Sequence, residues 1–261
     1  MSAEWKLLDN SKVYNHKLIP ILTKEQCQAM IRWHQSHKHL RRVGDGSDYW
    51  GVRKIHIQNE AIRRIFQQVE NHCISEIYKA TNKVFHTEMA TLTEWPIGGV
   101  QTPHLDTYSN QEYSIDPEYD KKIERGEQGP SREWTCILYL NDDHGGGETY
   151  FPPSDYYPFG WQSANMGEDR KTGDGLLFQG IYHSHGVFPV RRNSRHTMAL
   201  WFTEDIEKCA TQQYVGDLEH NESSIKQHLQ TQLGDVLYTQ QTEMHRDKTL
   251  WHEYLNHAKK F

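Results

Sequence analysis

The chain has 261 residues, enough for one large domain or two small ones. Charged residues make up 25% and the hydrophobic set 36%, an ordinary globular composition, and the formal net charge of -6 argues against a nucleic-acid-binding surface. No run approaches the roughly 18 apolar residues that mark a membrane span. The first residues carry no apolar run behind a basic region, so no secretory signal is expected.

In chain order, residues 1–22 read as a short strand and loops. Thr23 to Gln26 is a capping box: the threonine hydroxyl closes the first turn and the glutamine reaches back. It opens a helix to about residue 38, with Cys27, Met30, Ile31 and Trp33 near helical spacing. A second helix starts after Asn59. Its apolar stripe of Ile62, Ile65, Phe66, Val69, Cys73, Ile74 and Ile77 suits packing on a sheet. From Lys83 to residue 205 the pattern turns strand-like. Segments 84–87 and 89–92 lead to Trp95-Pro96-Ile97-Gly98-Gly99, and Thr135 to Leu140 reads as a buried strand closed by Asn141-Asp142-Asp143. Gly145-Gly146-Gly147 makes a turn into a strand from Glu148, and 174–178 and 196–202 are further strands.

Short strands broken by Gly, Pro and Asp clusters predict an antiparallel jelly roll, giving an α+β chain that is mainly β. The polar interval 107–133 has no period and reads as a functional lid or a surface loop, with Tyr108 and Tyr113 as its inward residues. Residues 1–220 are expected to form one domain with its jelly-roll core at about 84–204. Amphipathic patches with Ile225, His228, Leu229 and Leu233 predict a helical extension over 221–261, packed on the domain or on a second subunit. Cys27, Cys73, Cys136 and Cys209 are dispersed in apolar stretches without a CxxC pair, which predicts reduced, buried thiols and a cytoplasmic location.

The chemistry gathers at His104-Leu105-Asp106. In an extended strand, positions i and i+2 share a face, so both side chains can reach one metal. Two imidazoles and a carboxylate can occupy one face of an octahedral Fe(II), leaving the opposite face for a co-substrate and O2. The second imidazole is His183 or His185. Arg195 follows them by twelve and ten residues and lies at the head of the apolar strand Met198 to Phe202. Its guanidinium fork matches a carboxylate in a two-bond geometry, and Thr197, on the same strand face, is a second donor. Gly186 lets the backbone crowd the site, while Pro189 and Asn193 mark a turn that would bring Arg195 back beside the metal. His144, in the glycine turn, is expected to be exposed, and His196 alternates away from Arg195 and reads as structural. The aromatic segment 150–161 could clamp a proline ring or a peptide, or pack on itself. Tyr150 and Trp161 from it, with Tyr108 and His183, are the candidate substrate contacts.

In combination these motifs are specific. They run from HxD through Leu138-Tyr139-Leu140-Asn141-Asp142 and Gly146-Gly147-Glu148-Thr149 to His185-Gly186-Val187 with Arg195, then Ala199-Leu200-Trp201-Phe202-Thr203. Over residues 84–204 the chain resembles the Fe(II)/2-oxoglutarate oxygenases of the prolyl hydroxylase superfamily, most closely the catalytic domain of leprecan-type prolyl 3-hydroxylases. The family's metal histidine stands ten residues before its basic anchor, which selects His185. The resemblance implies a double-stranded β-helix, a cupin-like jelly roll supported by the N-terminal helices. It also implies a dioxygenase that uses Fe(II), 2-oxoglutarate and O2, with ascorbate as an optional reductant. Iron would be held by His104, Asp106 and His185, and 2-oxoglutarate by Arg195 and Thr197. A carboxylate at Asp106, where halogenating relatives carry a small residue, favours hydroxylation of an unactivated C–H bond with release of succinate and CO2. Two departures from the prolyl 4-hydroxylase pattern stand out: Thr102 replaces a tyrosine and Arg195 replaces a lysine.

The expected substrate is a prolyl residue in a peptide or protein. The alternatives are a free amino acid or small natural product, or a catalytically silent jelly-roll binding protein. No nucleic-acid or membrane partner is expected, and the chain would act as a monomer or homodimer.

Overall fold

The computed structural model describes residues 4–8, 13–37, 42–43, 50–54, 57, 59–106, 132–162 and 171–204. The chain divides into two units, Met1–Glu204 and Asp205–Phe261, and every described residue lies in the first. The expected extension over 221–261, residues 107–131 with Tyr108 and Tyr113, and Cys209 lie outside the described residues.

Two helices and thirteen strands are described. Strand β1 (Lys17–Pro20) precedes helix α1 (Lys24–Ser36); β2 (Arg42–Val43) and β3 (Trp50–Arg53) precede helix α2 (Glu60–Thr81). Then come β4 (His86–Trp95), β5 (Gln101–His104), β6 (Trp134–Tyr139), β7 (Gly145–Gly146), β8 (Thr149–Phe151) and β9 (Trp161–Gln162). The last four are β10 (Asp174–Phe178), β11 (His185–Val187), β12 (Val190–Arg192) and β13 (Arg195–Thr203).

Both helices begin where the capping residues predict. Thr23 and Gln26 form the reciprocal capping box of α1, and the Asn59 side chain accepts from the Ile62 amide at the start of α2. The two short segments expected over 84–92 are one ten-residue strand, β4; the break between them survives only as an irregularity in the ladder with β13, where Trp201 pairs with Met89 and Phe202 with Thr87.

The strands form a seven-stranded sheet in the order β1-β10-β6-β13-β4-β3-β2, a four-stranded sheet β5-β11-β8-β9, and the pair β12-β7. Every pairing is antiparallel. This is the jelly-roll arrangement of two facing sheets.

Alternation assigns the two faces of the large sheet. Leu92, Cys136, Leu138, Met198 and Leu200 turn outward into one core with Cys27, Met30 and Trp33 of α1 and Phe66, Val69 and Cys73 of α2. Thr135, Ile137, Tyr139, Arg195 and Thr197 alternate with them and turn inward, toward the small sheet. There Tyr139, Leu176 and Phe178 meet Phe151 of β8 in a second, smaller cluster. The helix stripes thus support the back of the large sheet, and its front is free for a site. Cys27, Cys73 and Cys136 are free and buried.

Candidate metal centre

His104 ends β5, and His185 opens β11 directly opposite it in the antiparallel ladder. Cross-strand partners share a face, so the two imidazoles converge, with ring centroids 4.4 Å apart. Asp106 lies just past the end of β5. It is not held there by strand alternation. Its amide donates to the Gly180 carbonyl at 3.0 Å, and its Oδ2 accepts from the Thr135 hydroxyl of the large sheet. The carboxylate therefore joins the two sheets, with His104 Nε2 and His185 Nε2 each 3.6 Å from one of its oxygens.

The ligating atoms of His104, Asp106 and His185 all lie within 4.8 Å of one another. Each histidine has its Nδ1 3.1 Å from a backbone carbonyl two residues earlier, Thr102 for His104 and His183 for His185. That contact places the proton on Nδ1 and presents Nε2 to the shared centre, the tautomer a metal ligand needs. Electrostatics agree. Burial drives His185 down to about 4, which keeps it neutral. Burial also opposes charge on Asp106, but His185, His104 and Thr135 together hold it well below the ordinary carboxylate range. His104 moves the other way: burial lowers it, but the Asp106 carboxylate outweighs burial and raises it. Two Nε2 atoms and an ionised carboxylate form a donor set that fits Fe(II).

Two glycines make room. A Cβ on Gly180 would overlap Thr135 Oγ1 and Asp106 Oδ2. Gly147, at φ +71°, lies against the Arg195 side chain, where a Cβ would come within 2.9 Å of Cδ.

Arg195 is 1% exposed and faces inward from β13. One of its terminal nitrogens donates to Thr149 Oγ1 at 3.0 Å, and Thr149 also accepts from the Tyr139 hydroxyl at 3.0 Å. The guanidinium lies 5.2 Å from the Trp95 ring centre and 5.6 Å from that of Tyr139. Trp95 Nε1 in turn donates to Thr197 Oγ1 at 3.1 Å. Tyr139, Thr149 and Trp95 thus position the basic group; sequence spacing singled out none of them for this, nor Thr135 and Gly180.

Other candidates fall differently. His183 is buried, with Nε2 2.7 Å from the Tyr14 carbonyl, and acts on His185 through its own carbonyl. Tyr150 pairs with Gly186, which puts it on the face of the small sheet away from His185, stacked on Phe188 at 4.1 Å. Trp161 packs against the His16 ring at 3.7 Å and on Phe151 at 5.2 Å, within an aromatic wall behind His185. His144 corrects the expectation of exposure. It is buried, with Nδ1 2.7 Å from the Gly146 carbonyl, because β12 pairs with β7 and folds over the glycine turn. His196 faces away from Arg195, as alternation requires.

An antiparallel jelly roll with a two-histidine, one-carboxylate centre on its inner face defines a mononuclear metal-enzyme scaffold. Residues 92–203 match the 2OG-Fe(II) oxygenase superfamily model. Prolyl 3-hydroxylase 2 of Mus musculus is 26% identical over 215 residues, 71% of this chain and 29% of that protein. The human protein of the same name matches at the same identity and coverage. The chain thus spans less than a third of the curated relatives' length. Among solved structures, a Pseudomonas putida prolyl-4-hydroxylase has a TM-score of 0.51 at 16% identity, covering 72% of this chain and 91% of that one. A Trichoplax adhaerens prolyl hydroxylase, in complex with a hypoxia inducible factor oxygen degradation domain peptide fragment, has a TM-score of 0.52 at 15% identity, covering 76% and 87%. These likenesses establish the fold.

Proposed function

We propose that the chain hydroxylates a prolyl residue of a peptide or protein, consuming 2-oxoglutarate and O2 and releasing succinate and CO2. The observation that carries this reading is a buried, carboxylate-matching Arg195 that reaches from β13 to Thr149 of β8, the strand paired with the β11 that carries His185 of the His104, Asp106 and His185 donor set. An inward arginine with its guanidinium held between two aromatic rings matches a dicarboxylate co-substrate, not a structural metal alone.

In this reading His104, Asp106 and His185 hold Fe(II), and Arg195 with Thr197 holds the distal carboxylate of 2-oxoglutarate. Bound Fe(II) would activate O2, which is the oxidant, and the oxidative decarboxylation of 2-oxoglutarate would supply two of the four electrons that O2 takes up. The chain's own residues orient and exclude. Thr135 fixes the carboxylate plane of Asp106. The Thr102 and His183 carbonyls fix the two rings. Phe151 and Phe178 line the wall beside His185, with Phe178 4.7 Å from its ring centre, and keep water from that side. The prolyl substrate follows from the names of the relatives and from the peptide seen with the Trichoplax protein. The free, buried thiols of Cys27, Cys73 and Cys136 suit a reducing, cytoplasmic setting.

The test is succinate formation from 2-oxoglutarate with anaerobically loaded Fe(II), in air, with and without ascorbate, for wild type and His185→Ala. Proline-containing peptides and free amino acids are compared as stimulants. Turnover lost in the variant and stimulated by peptides supports the proposal. Stimulation by free amino acids alone would move the substrate to a small molecule, and no turnover with any of them would sink the oxygenase reading.

A further inference from the structure

Among the described residues a second set of metal-type ligands occurs, on the other side of the large sheet: His34, Glu94 and His196, with ligand atoms within 4.8 Å of one another. Like the first, it combines two imidazoles with one carboxylate, here a glutamate in place of the aspartate. The elements that build it are independent of the first centre. His34 is in the last turn of α1, and Glu94 of β4 stands directly opposite His196 of β13. Alternation turns Glu94 and His196 outward, toward the helix layer, while Trp95, Arg195 and Thr197 turn inward. His34 and His196 are both buried, and their rings stand nearly perpendicular, at 87°. Glu94 is half-buried and gives the group access to solvent.

We infer that His34, Glu94 and His196 form a second divalent-cation site, of the zinc class, that clamps α1 to the sheet. Two imidazoles and one glutamate are a donor set that zinc accepts in tetrahedral geometry, with the fourth position open to water. The set joins a helix to two adjacent strands, and a cation there cross-links all three elements. It would also brace the first site indirectly. Glu94 and His196 are the immediate neighbours of Trp95 and Arg195, so a cation held behind the sheet fixes the strand segment that carries the inward arginine. The inference does not rest on the oxygenase reading.

The experiment therefore uses metal content and stability, not turnover. The full-length chain carrying His104→Ala and His185→Ala, which dismantles the first centre, is stripped with chelator, exposed to Zn2+ and desalted. Zinc is measured by mass spectrometry, and melting is followed with and without the metal. Stoichiometric zinc and a melting temperature that rises with Zn2+ are expected. Adding Glu94→Gln, which keeps the side-chain volume, or His34→Gln is expected to weaken retention by at least about 100-fold, more than the loss of an outer-shell partner. Co2+ in place of zinc is expected to give a tetrahedral visible band that Glu94→Gln removes. A parent that retains no zinc overturns the inference whatever the variants do. So does zinc that persists in folded Glu94→Gln and His34→Gln chains.

Discussion

The Thr135 hydroxyl donates to Asp106 Oδ2 from a strand of the opposite sheet. The bond crosses 29 residues of sequence. Both partners are buried, so the carboxylate has no water to replace this donor. Thr135→Val keeps the shape and removes the donor. Leaving a buried, charged acceptor short of a partner costs about 1–3 kcal/mol. The freed carboxylate rotates, and Fe(II) affinity is expected to fall about 10- to 100-fold. Anaerobic Fe(II) titration of Thr135→Val against Thr135→Ser checks this. Serine restores the donor and should restore affinity; equal affinities for valine and wild type would contradict the positioning role.

Gly180 supports the same carboxylate sterically. An added methyl would collide with both Thr135 Oγ1 and Asp106 Oδ2. Gly180→Ala is therefore expected to lose Fe(II) binding more completely than Thr135→Val, with a stability loss of about 1–3 kcal/mol from overpacking. Denaturant midpoints and iron titration on the same samples separate the two effects.

Arg195 tests the co-substrate assignment. Arg195→Lys keeps the charge but loses the fork held by Thr149, Trp95 and Tyr139. Losing one charge-assisted hydrogen bond, worth about 1.5–3 kcal/mol, corresponds to a rise of about 10- to 100-fold in KM for 2-oxoglutarate. Steady-state kinetics at varied 2-oxoglutarate provide the measurement. An unchanged KM would separate Arg195 from the co-substrate.

Stability of the metal-stripped chain is expected to fall on acidification. Burial, aided by His183, pushes His16 down to about 4, and burial brings His185 to about 4 as well. In the unfolded chain both titrate near 6.5. Between these values the unfolded state takes up protons that the folded state refuses, so stability is full above about 6.5 and is lost as pH drops toward 4. Each group removes up to about 3 kcal/mol by pH 4. His104 has the opposite sign: its raised value adds stability below the unfolded value, lost as pH rises through the folded one, and it offsets part of the fall. Asp106 adds a further loss below the ordinary carboxylate range. Urea midpoints from pH 8 to 4 should decline mainly below 6.5, and His16→Phe should flatten the decline. Identical slopes for the two chains would exclude His16 as a source.

Much of this was readable in local signals. Thr23 and Asn59 announced the helix starts, and the Ile62-to-Ile77 stripe announced a helix laid on a sheet. The spacing named His104, Asp106 and His185, whose ligand atoms the fold brings within 4.8 Å of one another, and Arg195, which is buried on β13. What escaped depends on register between distant strands. Thr135 reaches Asp106, and Thr149 reaches Arg195, only because β6, β8 and β13 are paired and stacked in one way, which no local pattern states. His144 misled for a related reason. A glycine-rich turn ordinarily projects into water, but the β12 pairing that covers it is set by residues more than forty positions away.

Strand β13 serves two masters by parity. Arg195 and Thr197 face the interior, while His196, Met198 and Leu200 face the helices. Inserting or deleting one residue within it would send the arginine into the hydrocarbon layer under α1 and deliver a histidine or methionine to the pocket. The strand can therefore tolerate changes of length only in pairs. Diversity among related chains should collect in the turn at Asn193, where parity is not at stake.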